Sequence, residues 1–409
     1  MKKPLVLMKF GGTSMADPEK IQRAAERAID ARRRGARVVV VVSAPGRMTD
    51  DLVALSKRID EKPDERELDV LLSTGELVGI SLFTMACRAR GIPAVSLSGP
   101  QAGIRGDQRH TRAEITQIRP AKIRRLLGED KIVTVAGFQA LDSSADIVTL
   151  GRGGSDLTAV ALAAVLKADR CEIYTDVKGV YTADPRLVPQ ARKISRISYE
   201  EMLELSGAGA KVMLARSIEI AKRYRVRIHV RSAFHAVPGT WILPASEAVM
   251  EQANVSSLAV DRGEVRLAIA DVPDRPGIAA KVISALSEEG VPVDMIVQSA
   301  PTQRGVNDIA FMTPRGRMAA AQKILKRLAR EIGAKRVLVQ DSVVKVTAVG
   351  TGFRRSPEIA AKMFKTLAQN GINIQMISTS DLKICCVIER RKAESAIRAL
   401  HKAFGLARR

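Results

Sequence analysis

The chain has 409 residues, 66 of them Lys or Arg and 44 Asp or Glu, for a net charge of +22. That length suits two to four domains of about 150 residues each, and a 46% hydrophobic fraction excludes a disordered basic polymer. Aromatics at 3%, with Trp241 the one tryptophan, exclude a stacking platform for single-stranded nucleic acid.

No uninterrupted run of about 18 apolar residues occurs, so no membrane span is expected. The start, Met1-Lys2-Lys3-Pro4-Leu5, has too short an apolar stretch for a signal peptide. Cys87, Cys171, Cys385 and Cys386 lack C-x-x-C spacing, which argues against a zinc site or disulfide framework and for a reducing, cytoplasmic setting. Residues 1–250 and 251–409 each carry net +11, and no block of five consecutive basic residues appears. Short runs such as Arg32-Arg33-Arg34 read as solvated helix ends, where cations offset the helix dipole.

In chain order, Leu5 to Phe10 reads as a strand ending in Gly11-Gly12. A helix follows, with Asp17 as N-cap and Pro18 at its first position. Val38 to Val42 is an unbroken apolar run, as in a strand covered on both faces. Strands at 94–97, 132–136, 171–174 and 227–230 continue the series, with helices at 157–167 and 199–204 between them and Trp241-Ile242-Leu243 as a last strand. The pattern predicts an α/β domain over 1–245, an αβα sandwich with a mainly parallel sheet. Ligands in such sheets gather at the carboxyl ends of the strands.

An internal repeat follows a linker at 246–262. Ile278-Ala279-Ala280-Lys281 recurs as Ile359-Ala360-Ala361-Lys362, and Gly290 to Ile296 aligns with Gly371 to Ile377, always 81 residues apart. The first copy, 263–340, reads βαββαβ, the ferredoxin-like pattern. The second, 341–409, stops one strand short. Ser257-Leu258-Ala259-Val260 is the segment placed to supply the missing edge.

There is no P-loop and no G-x-G-x-x-G after the first strand. Lys9-Phe10-Gly11-Gly12-Thr13-Ser14 instead combines two glycines, which let amides approach an anion, with a lysine charge. Gly151-Arg152-Gly153-Gly154-Ser155-Asp156 precedes a helix, whose free N–H groups bind phosphate or carboxylate. Asp156 there reads as an N-cap. Tyr174 to Arg186 forms an irregular loop suited to a nucleoside, and Ser206 to Lys211 is a further glycine-flexed loop.

Together with Ser43-Ala44-Pro45-Gly46 and Leu72-Ser73-Thr74-Gly75-Glu76, these motifs resemble the aspartokinases over essentially the whole chain. These are amino-acid-kinase-fold enzymes that phosphorylate the side-chain carboxylate of L-aspartate with ATP. The repeat resembles their tandem ACT domains, which sense end-product amino acids. Pro45 stands where the family has Met.

The resemblance implies that Lys9, Gly11, Gly12 and Ser14 hold ATP phosphates. It places Thr175, Asp176, Tyr181, Asp184, Arg186 and Lys211 around the nucleotide. Ser43, Thr49, Glu76, Arg152, Gly153, Gly154 and Ser155 would hold aspartate, with Lys9, Arg152 and Glu76 closest to the chemistry. Effector positions would be Asp274, Ala279, Asp294 and Gln298 in the first repeat, and Ile359, Ala360, Asn373, Ile374, Thr379 and Ser380 in the second. Arg355 stands where the first repeat has Asp274, so the two copies differ chemically.

An aspartate side chain is already ionised at neutral pH and needs no general base. The difficulty is bringing one anion onto another, so positioning and charge neutralisation by Lys9, Arg152 and Mg2+ held by ATP should suffice, with no protein metal cluster. Glu76 would accept from the substrate ammonium. Threonine, lysine or both are the expected effectors, no nucleic acid or membrane partner is expected, and ACT pairing implies at least a dimer. Met250 precedes the regulatory half, which some family members make separately. The alternatives are another carboxylate kinase of this fold and a basic amino-acid-sensing regulator bound to nucleic acid.

Overall fold

The structure is a computed structural model that describes residues 3–210, 212–248, 254–353 and 356–407. Lys211, Met250 and Arg355 lie outside these residues. The chain forms two compact units, described separately.

The first unit spans Met1–Val180, Lys193–Ser206 and Lys211–Met250. Its elements run β1 (Leu5–Phe10), α1 (Pro18–Arg33), β2 (Arg37–Val42), α2 (Met48–Ile59), α3 (Glu65–Arg88), β3 (Ala94–Leu97), β4 (Ile104–Gly106) and β5 (Ile115–Ile118). Then come α4 (Ala121–Gly128), β6 (Ile132–Ala136), β7 (Gln139–Leu141), β8 (Ile147–Thr149), α5 (Gly154–Leu166), β9 (Arg170–Thr175) and β10 (Arg196–Ser198). Last are α6 (Tyr199–Gly207), α7 (Ala215–Tyr224), β11 (Ile228–Ser232), β12 (Thr240–Leu243) and α8 (Ala245–Ala248).

The main sheet has the order β10-β12-β11-β9-β1-β2-β6-β3. Neighbours from β11 through β3 are all parallel. Every residue of β1 is buried, as are five of the six in β2, because both faces are covered. Asp17 caps α1 by accepting from the Lys20 amide at 2.8 Å, and Pro18 follows, as its sequence predicts. β12 is the last strand of the sheet in chain order, as expected, and in space it lies between β10 and β11, antiparallel to the latter. A second sheet, β5-β4-β7-β8, had no sequence signal, since its strands of three or four residues are too short for alternation to register.

The expectation that nothing is long and apolar enough for a membrane needs correction. α3 has that length and composition, yet half of the stretch is buried inside the unit. Asp69 and Glu76 interrupt it in sequence, and both are buried on its inner face. It is a core helix.

The second unit comprises Tyr181–Arg192, Gly207–Ala210 and Glu251–Arg409. It contains β13 (Ser257–Asp261), β14 (Glu264–Pro273), α9 (Ile278–Glu288), β15 (Asp294–Gln298), β16 (Val306–Pro314), α10 (Met318–Ile332) and β17 (Arg336–Gln340). β18 (Val343–Val349), α11 (Pro357–Gln369), β19 (Ile374–Thr379), β20 (Lys383–Glu389) and α12 (Ala393–Ala403) complete it. Its sheets are β15-β16-β14-β17 and β13-β18-β20-β19. β13 pairs antiparallel with β18 in the place that β17 takes beside β14, and Leu258 is buried. The second ferredoxin-like fold thus begins before the first and closes around it in sequence.

Ala268, Met295, Ala310 and Met312 form one cluster with Val343, Met376, Cys385 and Val387 of the second sheet. Lys345 is buried nearby, 2.6 Å from Asp294 and 3.0 Å from Glu264. The segment Tyr181–Arg192 is sewn into this unit. Thr182 accepts from the Leu258 amide through its carbonyl at 2.8 Å. Its hydroxyl donates to Leu406 O at 3.1 Å and lies 3.0 Å from His401 Nε2.

Candidate active site

Three parallel strands release the chain side by side. The Ser43 amide after β2 donates to Phe10 O at the end of β1, and the Gly137 amide after β6 donates to Val42 O, both at 3.1 Å. The turns they start form the floor of the site. Gly12 is required there by space: a Cβ would come within 2.8 Å of Gly46 O and 2.9 Å of Ala44 O. Ser14 follows in a short 3-10 turn, buried, and its Oγ has no hydrogen-bond partner.

α3 reaches the same floor from one side. A Cβ on Gly75 would lie 2.8 Å from Ala44 Cβ, and one on Gly79 would lie 2.7 Å from Ser43 O. Two glycines one turn apart therefore seat the helix directly on the Ser43-Ala44 turn. Glu76 between them is 3% exposed. Its Oε1 accepts from the Ala44 amide at 3.0 Å, while its Oε2 is buried without a partner. Burial pushes the carboxyl up to about 7, against the Ala44 amide, which favours the charged form. A buried carboxylate with one oxygen unsatisfied is a site for a cation.

Lys9, on β1, is 9% exposed. Its Nζ lies 2.7 Å from Asp156 Oδ1. Asp156 is therefore not the N-cap of α5: that position belongs to Gly153, and Asp156 sits in the first turn with its side chain turned to the lysine. Gly151 and Gly153 take left-handed φ values of 73° and 71°, which lets the loop turn sharply into the helix. Arg152 stands exposed between them, and Ser155 is buried behind, where a Cβ on Gly137 would lie 2.7 Å from its Oγ. Thr49 is half-buried in the first turn of α2.

The first unit so brings together an ammonium, the free amides of a helix start, an unpaired buried hydroxyl and an unpaired carboxylate oxygen. That set can hold a polyanion beside an amino acid. Among the described residues no three His, Cys, Asp or Glu side chains gather to hold an ion. A metal here would have to arrive on the phosphates, and the unpartnered Ser14 Oγ fits that role.

The residues expected around the nucleotide divide between the units. Thr175 and Asp176 follow β9 in the first, with the Val177 amide donating to Thr175 Oγ1 at 3.0 Å. Tyr181, Asp184 and Arg186 belong to the second, where Asp184 and Arg186 pair at 2.7 Å and Arg186 holds the Asp184 carboxyl below its ordinary value. Lys211, outside the described residues, is not placed.

In the second unit, a cavity of about 400 Å³ opens at the start of α9. Asp274, Ala279 and Gln298 line it, as does Asn307. Asn307 Nδ2 donates to Asp274 Oδ1 at 3.0 Å, and its own Oδ1 is buried without a partner. Asp294, expected among the effector residues, is at the other end of β15 and is held by Lys345, so it does not line this cavity. Ile359 and Ala360 lie in the first turn of α11, Ile374 and Thr379 bound β19, and Asn373 and Ser380 flank it, exposed.

Sequence reasoning missed two residues. Asn307 carried no motif. Asp69 is fully buried under the site and accepts from His110 Nδ1 at 3.0 Å, from the Thr111 amide at 2.9 Å and from the Thr149 hydroxyl. It ties α3 to β8, just before the Gly151 loop. An aspartate inside an apolar helical stretch was the available signal.

Comparison with known proteins agrees with this geometry. Residues 4–232 match the amino acid kinase family, and 265–333 and 346–404 each match the ACT domain. An aspartate kinase of Pseudomonas putida is 48% identical over 402 residues, covering 98% of each chain. An aspartokinase of Thermus thermophilus is 45% identical over 404 residues, covering 98% of this chain and 99% of that one. The crystal structure of E. coli aspartokinase III with aspartate and ADP superposes with a TM-score of 0.83 at 26% identity, covering 98% of this chain and 99% of that one. With an amino acid kinase domain on a mainly parallel sheet and two ACT domains in the same chain, this chain belongs to the aspartokinase family and is an aspartate kinase.

Proposed function

We propose that this enzyme transfers the γ-phosphoryl group of ATP, with Mg2+, to the side-chain carboxylate of L-aspartate, giving 4-phospho-L-aspartate, and that amino acids bound to its ACT domains restrain it. The unpaired Oε2 of Glu76, buried where α3 meets the Ser43-Ala44 turn, carries the substrate assignment. It receives the substrate α-ammonium, which excludes simple dicarboxylates. Arg152, Gly153, Gly154 and Ser155 hold the substrate carboxylates; Ser43 and Thr49 complete the pocket.

Lys9 leaves Asp156 for the transferring phosphoryl group and, with the Gly11 and Gly12 amides and Ser14, neutralises its charge. Mg2+, when bound, supplies further neutralisation of the phosphate oxygens. Thr175, Asp176, Tyr181, Asp184, Arg186 and Lys211 surround the rest of the nucleotide. No proton transfer is demanded, because the attacking carboxylate is already ionised. ATP, Mg2+ and aspartate with hydroxylamine should yield aspartyl hydroxamate. Its absence, or equal product from glutamate, would refute the reading.

The cavity at α9 suits an amino acid: its ammonium on Asp274 and Asn307 Oδ1, its carboxylate on the amides that open the helix. Threonine, lysine or both are the effectors proposed, in keeping with an early step toward lysine, threonine and methionine. The aspartokinase III structure solved with lysine and aspartate supports this class of ligand. We assign residues 1–245 to catalysis, 246–262 to a linker that lends its last strand, and 263–340 and 341–409 to the ACT domains. These pair between chains through the exposed edge strands β15 and β19, and the regulatory half is also made as a separate subunit starting at Met250. All four cysteines are buried free thiols, in keeping with a cytoplasmic protein.

A further inference from the structure

The loop that receives the substrate carboxylates has little to hold it from within. Gly151 and Gly153 both take left-handed φ values, and glycine turns readjust at small cost. Yet aspartate differs from its next homologue, glutamate, by one methylene, a carbon–carbon bond of about 1.5 Å. One methylene is worth about 10- to 200-fold to an enzyme, and only where the pocket does not give by that distance. Something outside the loop must fix it against the ammonium end of the site.

The inner face of α3 does so. Asp69 and Glu76 are seven residues apart, two turns, so they lie on the same side of the helix about 10 Å apart along its axis. Both are buried. Glu76 is tied to the Ser43-Ala44 turn by the Ala44 amide at 3.0 Å. Asp69 is tied to the approach to the loop: its Oδ1 accepts from the hydroxyl of Thr149, which ends β8 two residues before Gly151. Its Oδ2 accepts from the Thr111 amide at 2.9 Å and lies 3.0 Å from His110 Nδ1. Thr111 is thereby held at a left-handed φ of 62°, a strained value for a β-branched residue. Its carbonyl abuts the loop, since a Cβ on Gly151 would come within 3.1 Å of it. Between the two acids, Ser73 O accepts from Gln139 Nε2 at 3.0 Å, which fastens the middle of the helix to β7. Arg216, in the first turn of α7, closes the other side: Nη1 donates to Leu150 O at 3.4 Å and Nη2 to Ala113 O at 3.3 Å.

We propose that Asp69, acting through Thr149, and Arg216 are positioning residues that set the preference for aspartate over glutamate. α3 is a spacer of fixed length between the ammonium acceptor at Glu76 and the carboxylate loop at Gly151–Ser155. The bracket of Asp69, Thr149 and Arg216 keeps that loop from backing away to admit the longer acid. This rests on Glu76 taking the ammonium and the loop the carboxylates, as proposed above. With the ammonium on Glu76, the reach to the side-chain carboxylate is what distinguishes the two acids. Loosening the bracket therefore has a sign that a general loss of packing lacks: aspartate is held less well, and glutamate is not.

Kinetics of the whole protein test this, with ATP, Mg2+, hydroxylamine and either acid. T149V keeps the side-chain shape and removes the hydroxyl tie; R216Q removes the tie to Leu150 and Ala113. Each should raise KM for aspartate about tenfold, change kcat by less than about threefold, and narrow the aspartate-to-glutamate ratio of kcat/KM about tenfold. T149S, which keeps the hydroxyl, should keep most of the parent's ratio. Thr149 and Arg216 sit on different elements, so loss of fold in one variant leaves the other to decide. An unchanged ratio, equal losses for both acids, or a T149S as unselective as T149V would overturn the proposal. A parent that favours aspartate, with variants that keep its ratio, removes the bracket and leaves the assigned reaction standing. A parent that forms no hydroxamate, or forms it equally from both acids, refutes the assigned reaction, and the bracket falls with it.

Discussion

Lys9 Nζ and Asp156 Oδ1 lie 2.7 Å apart, joining the end of β1 to the first turn of α5 with both side chains nearly buried. The pair holds an ammonium in place where phosphate would otherwise be needed to satisfy it. Lys9→Ala should therefore reduce kcat by about 100- to 1000-fold, the scale for losing one preorganised charge donor. Its circular dichroism should be unchanged. Asp156→Asn should leave the lysine free and reduce kcat less. Steady-state kinetics of both variants check this; normal turnover in Lys9→Ala would remove Lys9 from the mechanism.

Glu76 should make substrate affinity pH-dependent. With its carboxyl at about 7, the charged form that accepts an ammonium is the minor one below neutrality. KM for aspartate should fall as pH rises through 7, and Glu76→Gln should raise KM and flatten the profile.

The same group has a stability signature in the enzyme without substrates. Its folded value lies above the ordinary 4.5, so the stability it contributes is full below pH 4.5 and is lost as pH rises through about 7. The gap is worth about 3 kcal/mol. Glu76→Gln stays neutral and should exceed the parent by about that much at pH 8, with no difference at pH 4. Urea unfolding at the two pH values measures it.

Asp274→Ala should abolish inhibition by the amino-acid effector and leave basal turnover intact, and Asn307→Ala should weaken inhibition about tenfold. Dose–response curves for threonine and lysine against each variant decide it. Undiminished inhibition would move the effector away from the cavity at α9.

Asp69 is a positioning residue by its contacts. Asp69→Ala should cost about 3 kcal/mol, because the His110, Thr111 and Thr149 donors lose a buried acceptor together. Asp69→Asn, which keeps an acceptor, should cost less. Chemical denaturation of the two variants checks the order.

Much of this was legible in the sequence where local rules act alone. Val38 to Val42 could only be a doubly covered strand, Asp17-Pro18 opened its helix as written, and the 81-residue offset exposed the repeat. The reading failed where partners come from far along the chain. Asp156 looked like a cap because the lysine that claims it is 147 positions away. That Asp294 would be held by Lys345 was not legible either, because the two are 51 positions apart. Neither Asn307 nor the short strands β4, β5, β7 and β8 carry a pattern of their own; tertiary pairing alone defines them.

The stitch at Thr182 sets where this protein can be divided. A piece begun at Met250 would keep β13 but lack Thr182, so the Leu258 amide and Leu406 carbonyl would each lose a partner. A piece begun at Glu264 would lack β13 as well and bare the edge of β18. Gene boundaries drawn at the linker therefore leave an open seam in the shorter product, which water, a rearranged tail or another chain must close.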